Sequence, residues 1–170
     1  MNGMIKRFIP AALTLFSLGL LASNACAWGT KELQTEKIAA TFCAEVQRGG
    51  YQVVTTPELR GWIVNKKSML LVDTMPYEDS FKKNHIPGAK QMEFPIPEMT
   101  SLGDKTKAAL LELLGSDKDR TIVFYCGFTK CTRSHNAAMW AVRLGYKNVY
   151  RMPGGVKAWK EAGYPLSGVK

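Results

Sequence analysis

Cys126 and Cys131 share the stretch Cys126-Gly127-Phe128-Thr129-Lys130-Cys131-Thr132-Arg133-Ser134, which follows directly on the apolar run Thr121–Tyr125. A run without polar alternation reads as a central strand buried on both faces, and the region beyond a strand's carboxyl end is where an open parallel sheet binds ligands. A helix opening near Thr132 points its free N–H groups and the positive end of its dipole back at this loop, and successive loop amides form a hollow of the same sign. Such a field favours thiolate over thiol, and thiolate is the nucleophile. The expectation is a nucleophilic Cys126 with Gly127, Phe128, Thr129, Lys130, Cys131, Thr132, Arg133 and Ser134 as its anion-binding loop. Lys130 and Arg133 add formal charge. The plain alternative is an inert buried cysteine at a strand end.

Positioning such a loop takes alternating strands and helices. Strand patterns fall at residues 51–54, 69–72 (ending in Asp73), 91–94, 121–125 and 148–151, and helical patterns at 77–83, 105–114, 132–144 and 156–162. This alternation predicts an α/β chain in three layers: a central parallel sheet of about five strands with helices on both faces. Upstream, Ile38, Ala39, Phe42, Cys43 and Val46 recur at helical spacing and Gly49-Gly50 stops them, which predicts an amphipathic helix with Cys43 as a small residue on its buried face. Thr56-Pro57 reads as an N-cap and first helical residue, opening a short helix through Leu59 and Trp62.

Several ordered blocks give the chain a resemblance to the rhodanese-like sulfurtransferases. Leu71-Val72-Asp73, His85-Ile86-Pro87-Gly88-Ala89, Tyr125-Cys126, and Gly154-Gly155-Val156-Lys157-Ala158-Trp159-Lys160 through Gly163-Tyr164-Pro165 each resemble a motif of that family. Each block also has a structural reading. His85 sits in a turn as a hydrogen-bonded residue rather than a base, Gly154-Gly155 permits close backbone approach, and Trp159 fills core. Asp73, at a strand's carboxyl end, reads as a supporting residue that orients loop amides. The resemblance implies a domain at 55–170, with residues 28–54 adding an N-terminal helix and first strand packed on it. It assigns Cys126 the role of sulfur carrier. A persulfide there would take sulfur from thiosulfate or a similar donor and pass it to cyanide or a thiol, with no metal or organic cofactor.

The loop departs from the common family pattern, because Arg133 lies seven residues after Cys126 rather than five and a second cysteine intervenes. It resembles a subgroup with a C-x4-C loop. Cys131 therefore has three readings: a resolving thiol that closes on Cys126, the sulfur carrier itself, or a small residue at a helix start. A dithiol redox protein is an alternative function, though the spacing is not the C-x2-C of thioredoxin-type proteins. A low-turnover partner protein that carries sulfur or a metal is another. Cys126, Cys131 and His135 offer three soft ligands, but no fourth lies near in sequence and no metal is expected.

The 170 residues are 46% hydrophobic and 22% charged, the balance of one ordinary globular domain, which excludes a disordered chain and a multi-span membrane protein. A formal charge of +9 suits small anionic substrates. Nucleic acid is not expected as a partner, since no long Lys/Arg run is present. A protein sulfur or redox partner remains compatible with the chain. Lys6 and Arg7 precede an uncharged apolar stretch over residues 8–22, and Ala25-Cys26-Ala27 supplies a small-x-small cleavage site. Residues 1–27 are thus expected to be a signal peptide, giving a periplasmic or secreted protein with no stable membrane span after cleavage. Retention as an anchor and lipidation of Cys26 are the weaker alternatives, the second lacking a Leu-like residue where Ser23 stands. Export would leave Cys43, Cys126 and Cys131, an odd number of thiols, in an oxidising compartment.

Overall fold

A parallel strand covered on both faces needs an apolar residue at nearly every position, and Thr121–Tyr125 provides them: Ile122, Val123, Phe124 and Tyr125 are each 0% exposed. In the computed structural model, which describes residues 31–168, this strand is the middle of an all-parallel five-stranded sheet. The strands are β1 (Gln52–Val53), β2 (Leu70–Asp73), β3 (Lys90–Gln91), β4 (Thr121–Tyr125) and β5 (Asn148–Met152), in the order β1-β5-β4-β2-β3. The helices are α1 (Glu32–Gly49), α2 (Thr56–Val64), α3 (Asp104–Leu114), α4 (Arg133–Arg143) and α5 (Gly155–Glu161), with one wide π-helical turn at Tyr77–Phe81. The expected three-layer α/β architecture is the one observed. Residues 1–27, expected to be a signal peptide, lie outside the described residues, among which no helix is long and apolar enough to cross a membrane.

Side chains alternate across the sheet and build two cores. Leu70, Val72, Ile122, Phe124 and Val149 meet Leu110 and Leu114 of α3 and Ala137, Ala138 and Ala141 of α4, whose small side chains let the helix lie close to the strands. On the other face, Leu71, Val123, Tyr125 and Met152 meet Leu59 of α2 and Trp159 of α5. Burying each large apolar side chain of β4 contributes roughly 1.5–3 kcal/mol, so the central strand is the rigid base on which the following loop is built.

Three expectations are corrected. The N-cap of α2 is Thr55, not Thr56, because the residue three positions on must return the bond: Glu58 N–H donates to Thr55 Oγ1 (3.4 Å), and Thr55 N–H donates to the Glu58 carboxylate (2.8 Å). Strand β3 ends at Gln91 instead of running to Phe94. Met92 and Phe94 still donate to the Asp73 and Thr74 carbonyls, but Pro95 carries no N–H to continue. Cys43 is exposed, because the face of α1 that turns inward runs through Ile38, Phe42, Glu45 and Gly49, one step around the helix from the predicted stripe.

Two backbone features hold the carboxyl edge of the sheet in place. At the N-terminus of α5, the Val156 and Lys157 amides donate to the Cys126 and Gly127 carbonyls (2.9 and 3.0 Å). Gly155 brings those chains together at φ +62°, and a Cβ there would stand 2.3 Å from the Cys126 carbonyl oxygen. At the end of β2, Asp73 is 0% exposed and accepts the Met75 amide (2.8 Å); burial raises its carboxyl to about 6.

Gly155→Ala is therefore expected to lose more stability in urea unfolding than Gly145→Ala. Both place Ala at positive φ, costing about 1–3 kcal/mol, but only position 155 adds a backbone clash, since a methyl at position 145 would meet nothing within 4 Å. Equal losses would show the close approach to be unimportant. For Asp73 the sign follows from its raised value: the folded state holds the proton more tightly than the unfolded one, so this group's contribution is complete below pH 4 and is lost as pH rises through about 6. Asp73→Asn, which keeps the acceptor for Met75, should be more favourable relative to the parent at pH 7.5 than at pH 4 by about 2–3 kcal/mol. A pH-independent difference in unfolding free energy would contradict this.

Candidate active site

The loop from Cys126 to Thr132 leaves the buried end of β4 and enters α4. Its start is pinned by the α5 amides, and its crest folds back through Cys131 N–H donating to the Phe128 carbonyl (2.9 Å). Gly127 lies under the Met75 side chain, 3.4 Å from where a Cβ would stand. Phe128 is 47% exposed at the crest and Lys130 is exposed beside it, whereas Cys126 is 0% exposed and Cys131 only 6%.

The polarity around the two sulfurs differs from the sequence expectation, which puts amides around Cys126. Instead its Sγ faces the Cys131 carbonyl (3.1 Å), the Phe128 carbonyl (3.7 Å) and the Ser134 hydroxyl (3.2 Å), so it sits as a donating thiol. A carbonyl accepts a proton's bond and repels an anion. The Cys126 thiol is accordingly pushed well up, first by its hydrogen bond to Cys131 and then by burial, although the Ser134 hydroxyl and amide oppose this. The Cys131 sulfur is affected in the opposite sense: the nearby Cys126 thiol and then, against the effect of burial, the Arg133 and Gly127 amides bring it down to about 6. The surroundings thus favour the thiol form at Cys126 and the thiolate form at Cys131.

Behind the loop lies a residue that the sequence reading does not single out. Arg151 of β5, 0% exposed, donates from Nη2 to the Cys131 carbonyl (3.0 Å) and the Thr129 carbonyl (3.4 Å), and from Nε to Ser134 Oγ (3.0 Å). Its Nη1 donates to the Glu45 carboxylate of α1 and to the Tyr51 hydroxyl (3.1 Å), and the guanidinium lies 5.1 Å from the centre of the Phe42 ring. Burial alone would lower its pKa, but Tyr51 and Glu45 outweigh that and keep it charged. The signal was present: a basic residue at the end of the strand pattern 148–151, and an acidic residue, Glu45, among the apolar positions of an amphipathic helix.

The remaining predicted residues divide. Ser134 reaches Cys126, as the loop reading required. Arg133 turns away, donating to the Phe94 carbonyl and to Glu93 (3.1 Å), and Thr132 bonds the Ile96 carbonyl, so both tie the loop to the segment after β3 rather than line an anion site. Asp73 orients the amide of Met75, in the turn after β2, and not an amide of the 126–134 loop. His135 is 0% exposed and bonded through Nδ1 to the Tyr51 hydroxyl (2.9 Å), so it does not converge with the thiols. Among the described residues no group of three or more His, Cys, Asp or Glu is placed to hold a metal ion. His85 is structural: Nδ1 bonds the Phe81 carbonyl (2.8 Å), and its ring stacks on Phe81 at 4.1 Å.

Two clefts flank the loop crest. One of about 340 Å³ separates it from α1 and is lined by Lys37, Ile38, Thr41 and Phe42 together with Thr129 and Lys130. The other, about 480 Å³, lies between Phe128, Lys130 and the α5 residues Lys157 and Ala158. Lysines at both mouths give an anionic ligand a favourable approach to the loop.

Comparison with known proteins agrees with this architecture. The chain is 28% identical over 111 residues to the thiosulfate sulfurtransferase GlpE of Coxiella burnetii, covering 64% of this chain and 88% of that protein. It is 32% identical over 96 residues to the sulfur carrier protein TtuD of Thermus thermophilus, covering 54% of this chain and 33% of that one. The chain spans a third or less of the length of the curated relatives that match it at 30% identity or better. The solution structure of the polysulfide-sulfur transferase homodimer of Wolinella succinogenes shares the fold, with a TM-score of 0.55 at 17% identity, over 82% of this chain and 93% of that one. The family model of the rhodanese-like domain matches residues 55–162, and with that match over most of its length the chain belongs to the rhodanese-like domain family.

Proposed function

We propose that this protein is a sulfurtransferase that moves sulfane sulfur from a small anionic donor such as thiosulfate to a thiol or cyanide acceptor through a persulfide on Cys126. Family membership and the names of the relatives GlpE and TtuD support sulfur transfer as the class of reaction. The observation that carries the assignment to this loop is Cys126, buried at the carboxyl end of β4 with its Sγ on the Ser134 hydroxyl and the Cys131 carbonyl, with a second buried cysteine in the same loop.

The chemistry runs in two displacements. Cys131 thiolate accepts the Cys126 proton, and the Cys126 thiolate attacks the outer sulfur of the donor. The sulfur–sulfur bond of thiosulfate breaks with its electron pair on the leaving sulfite, leaving a persulfide on Cys126. An acceptor thiolate or cyanide then attacks the outer persulfide sulfur, and the departing Cys126 thiolate recovers the proton from Cys131. Loading requires the Cys126 carbonyl shell to open, since a negative sulfur repels the Phe128 and Cys131 oxygens.

A second reading has specific support: Cys131, lower in pKa and slightly more exposed, attacks the donor first. The two readings differ in pH behaviour. With Cys131 as the base, parent activity rises with pH through about 6 as that group loses its proton. Cys131→Ser then leaves Cys126 to ionise unaided, so thiosulfate-to-cyanide transfer at pH 7 falls by about 100-fold and recovers above pH 9. Cys126→Ser is inactive at every pH, and intact mass after thiosulfate shows one added sulfur on the parent only. Loss in Cys131→Ser that high pH does not restore, with the added sulfur still formed in Cys126→Ser, assigns the carrier to Cys131. Equal loss in both without any sulfur adduct assigns a dithiol redox protein.

We further propose export, on the basic, apolar and small-x-small segments of residues 1–27. The mature protein is expected in the periplasmic or secreted fraction with Trp28 as its N-terminal residue; an intact Met1 in a cytoplasmic fraction overturns this.

A further inference from the structure

Cys126 does not meet its counter-charge directly. Between the sulfur and the nearest buried cation stand the Ser134 hydroxyl and the Cys131 carbonyl, and Arg151 bonds both of them. The same guanidinium also bonds the Thr129 carbonyl on the loop crest, while its opposite edge is taken by Glu45 from α1 and by Tyr51. A fork that satisfies three loop acceptors at once fixes their relative orientation in a way a point charge does not. Its charge, in turn, is largely cancelled by one carboxylate from an element that precedes the matched domain.

We propose that Arg151 is the positioning residue of the sulfur site and that Glu45 sets how much of its charge reaches the sulfurs. Arg151 holds the Cys131 carbonyl and the Ser134 hydroxyl against Cys126 and ties down the Thr129 carbonyl beside them, and Glu45 withholds positive field that would otherwise favour the thiolates further. The inference deepens the sulfur-transfer reading, since it describes the control of the same loop.

The other groups around the pair are accounted for. From α4, His135 bonds Tyr51, and Arg133 is engaged with Glu93 and the Phe94 carbonyl. From β2, Asp73 bonds the Met75 amide and adds only a minor repulsion at Cys131. Neither competes with Arg151 for Ser134 or the loop carbonyls.

The test uses iodoacetamide modification of the full mature chain across pH, with mass spectrometry separating Cys126 from Cys131, so it needs no sulfur transfer to read out. Arg151→Met removes the cation and should raise the apparent pKa of the reactive loop thiol by about one unit, read as the midpoint of the pH–rate profile, which from about 6 roughly halves the rate at pH 7; Glu45→Gln frees the cation and should lower that midpoint by about as much. A purely structural ion pair would weaken the fold in both variants without shifts of opposite sign. Arg151→Lys keeps the charge but loses the fork. Its apparent pKa should match the parent's while the share of label on Cys126 rises several-fold as the carbonyl shell loosens, and this variant decides the matter where the neutral ones do not fold. Shifts of the same sign in the Met and Gln variants, or an unchanged label share in the Lys variant, overturn the proposal. Failure of thiosulfate turnover with these shifts intact overturns only the sulfur-transfer reading.

Discussion

A loop that starts at the end of a fully buried strand carries its backbone N–H and C=O groups into a region with little water, and each must find a partner or cost about 1–3 kcal/mol. The rest of the site follows from how the Cys126–Thr132 loop meets that demand. The carbonyls of Cys126 and Gly127 accept from the first amides of α5, those of Thr129 and Cys131 accept from Arg151, and the Phe128 carbonyl accepts from Cys131. Two separate elements, α5 and β5, together with the loop's own Cys131 amide, thus hold one short segment. The requirement also explains why glycine stands at position 155, since the α5 amides reach the loop only if no side chain intervenes.

The same satisfaction scheme decides where negative charge can rest. The Cys131 carbonyl, bonded to Arg151 from one side, keeps its oxygen near the Cys126 sulfur on the other, which favours Cys126 as a thiol. The Gly127 and Arg133 amides instead favour negative charge on Cys131. Carbonyl oxygens against the deeper sulfur keep it unreactive until the loop rearranges. A permanently ionised sulfur at the deep position would require those carbonyls to turn outward and Arg151 to find other acceptors, an arrangement with its own buried-cation cost.

Much of this was legible in the chain. The apolar run at 121–125, the glycines at 154 and 155 and the alternation of strands with helices all act locally, and apart from β3, which stops at Gln91, and the 77–83 pattern, which forms only a π-helical turn, the strands, helices and parallel sheet lie close to where those patterns put them. Locating the loop needed only the rule that chemistry sits beyond the carboxyl ends of parallel strands. The polarity inside the loop was not legible, because whether a peptide unit shows its N–H or its C=O to a sulfur depends on partners far away in sequence. Arg151 is 25 residues from Cys126 and Glu45 is 106 from Arg151. The same applies to Arg133, whose charge and position suit an anion site but whose side chain finds the Phe94 carbonyl and Glu93 instead. Cys43 failed for a different reason: an amphipathic stripe with a buried acid in it is misread by any scale that counts only apolar positions, and Glu45 moves the true inward face past the cysteine.

The boundary of the matched domain does not coincide with the boundary of the site. The match begins at residue 55, after β1, yet Glu45, Tyr51 and Phe42 all lie before it and surround Arg151. A buried arginine without them would be a charge of several kcal/mol with no counter-ion, so the loop geometry described here cannot be inherited from the domain alone. It depends on α1 having folded against the domain. The cleft next to the loop has the same dependence, since one of its walls is the inward stripe of α1 and the other is the loop crest. A relative with the matched domain but a different preceding helix would present the same strand end and the same GG turn with a different charge behind the sulfur. Specificity among such relatives is therefore to be sought in what precedes the domain as much as in the loop that carries the cysteine.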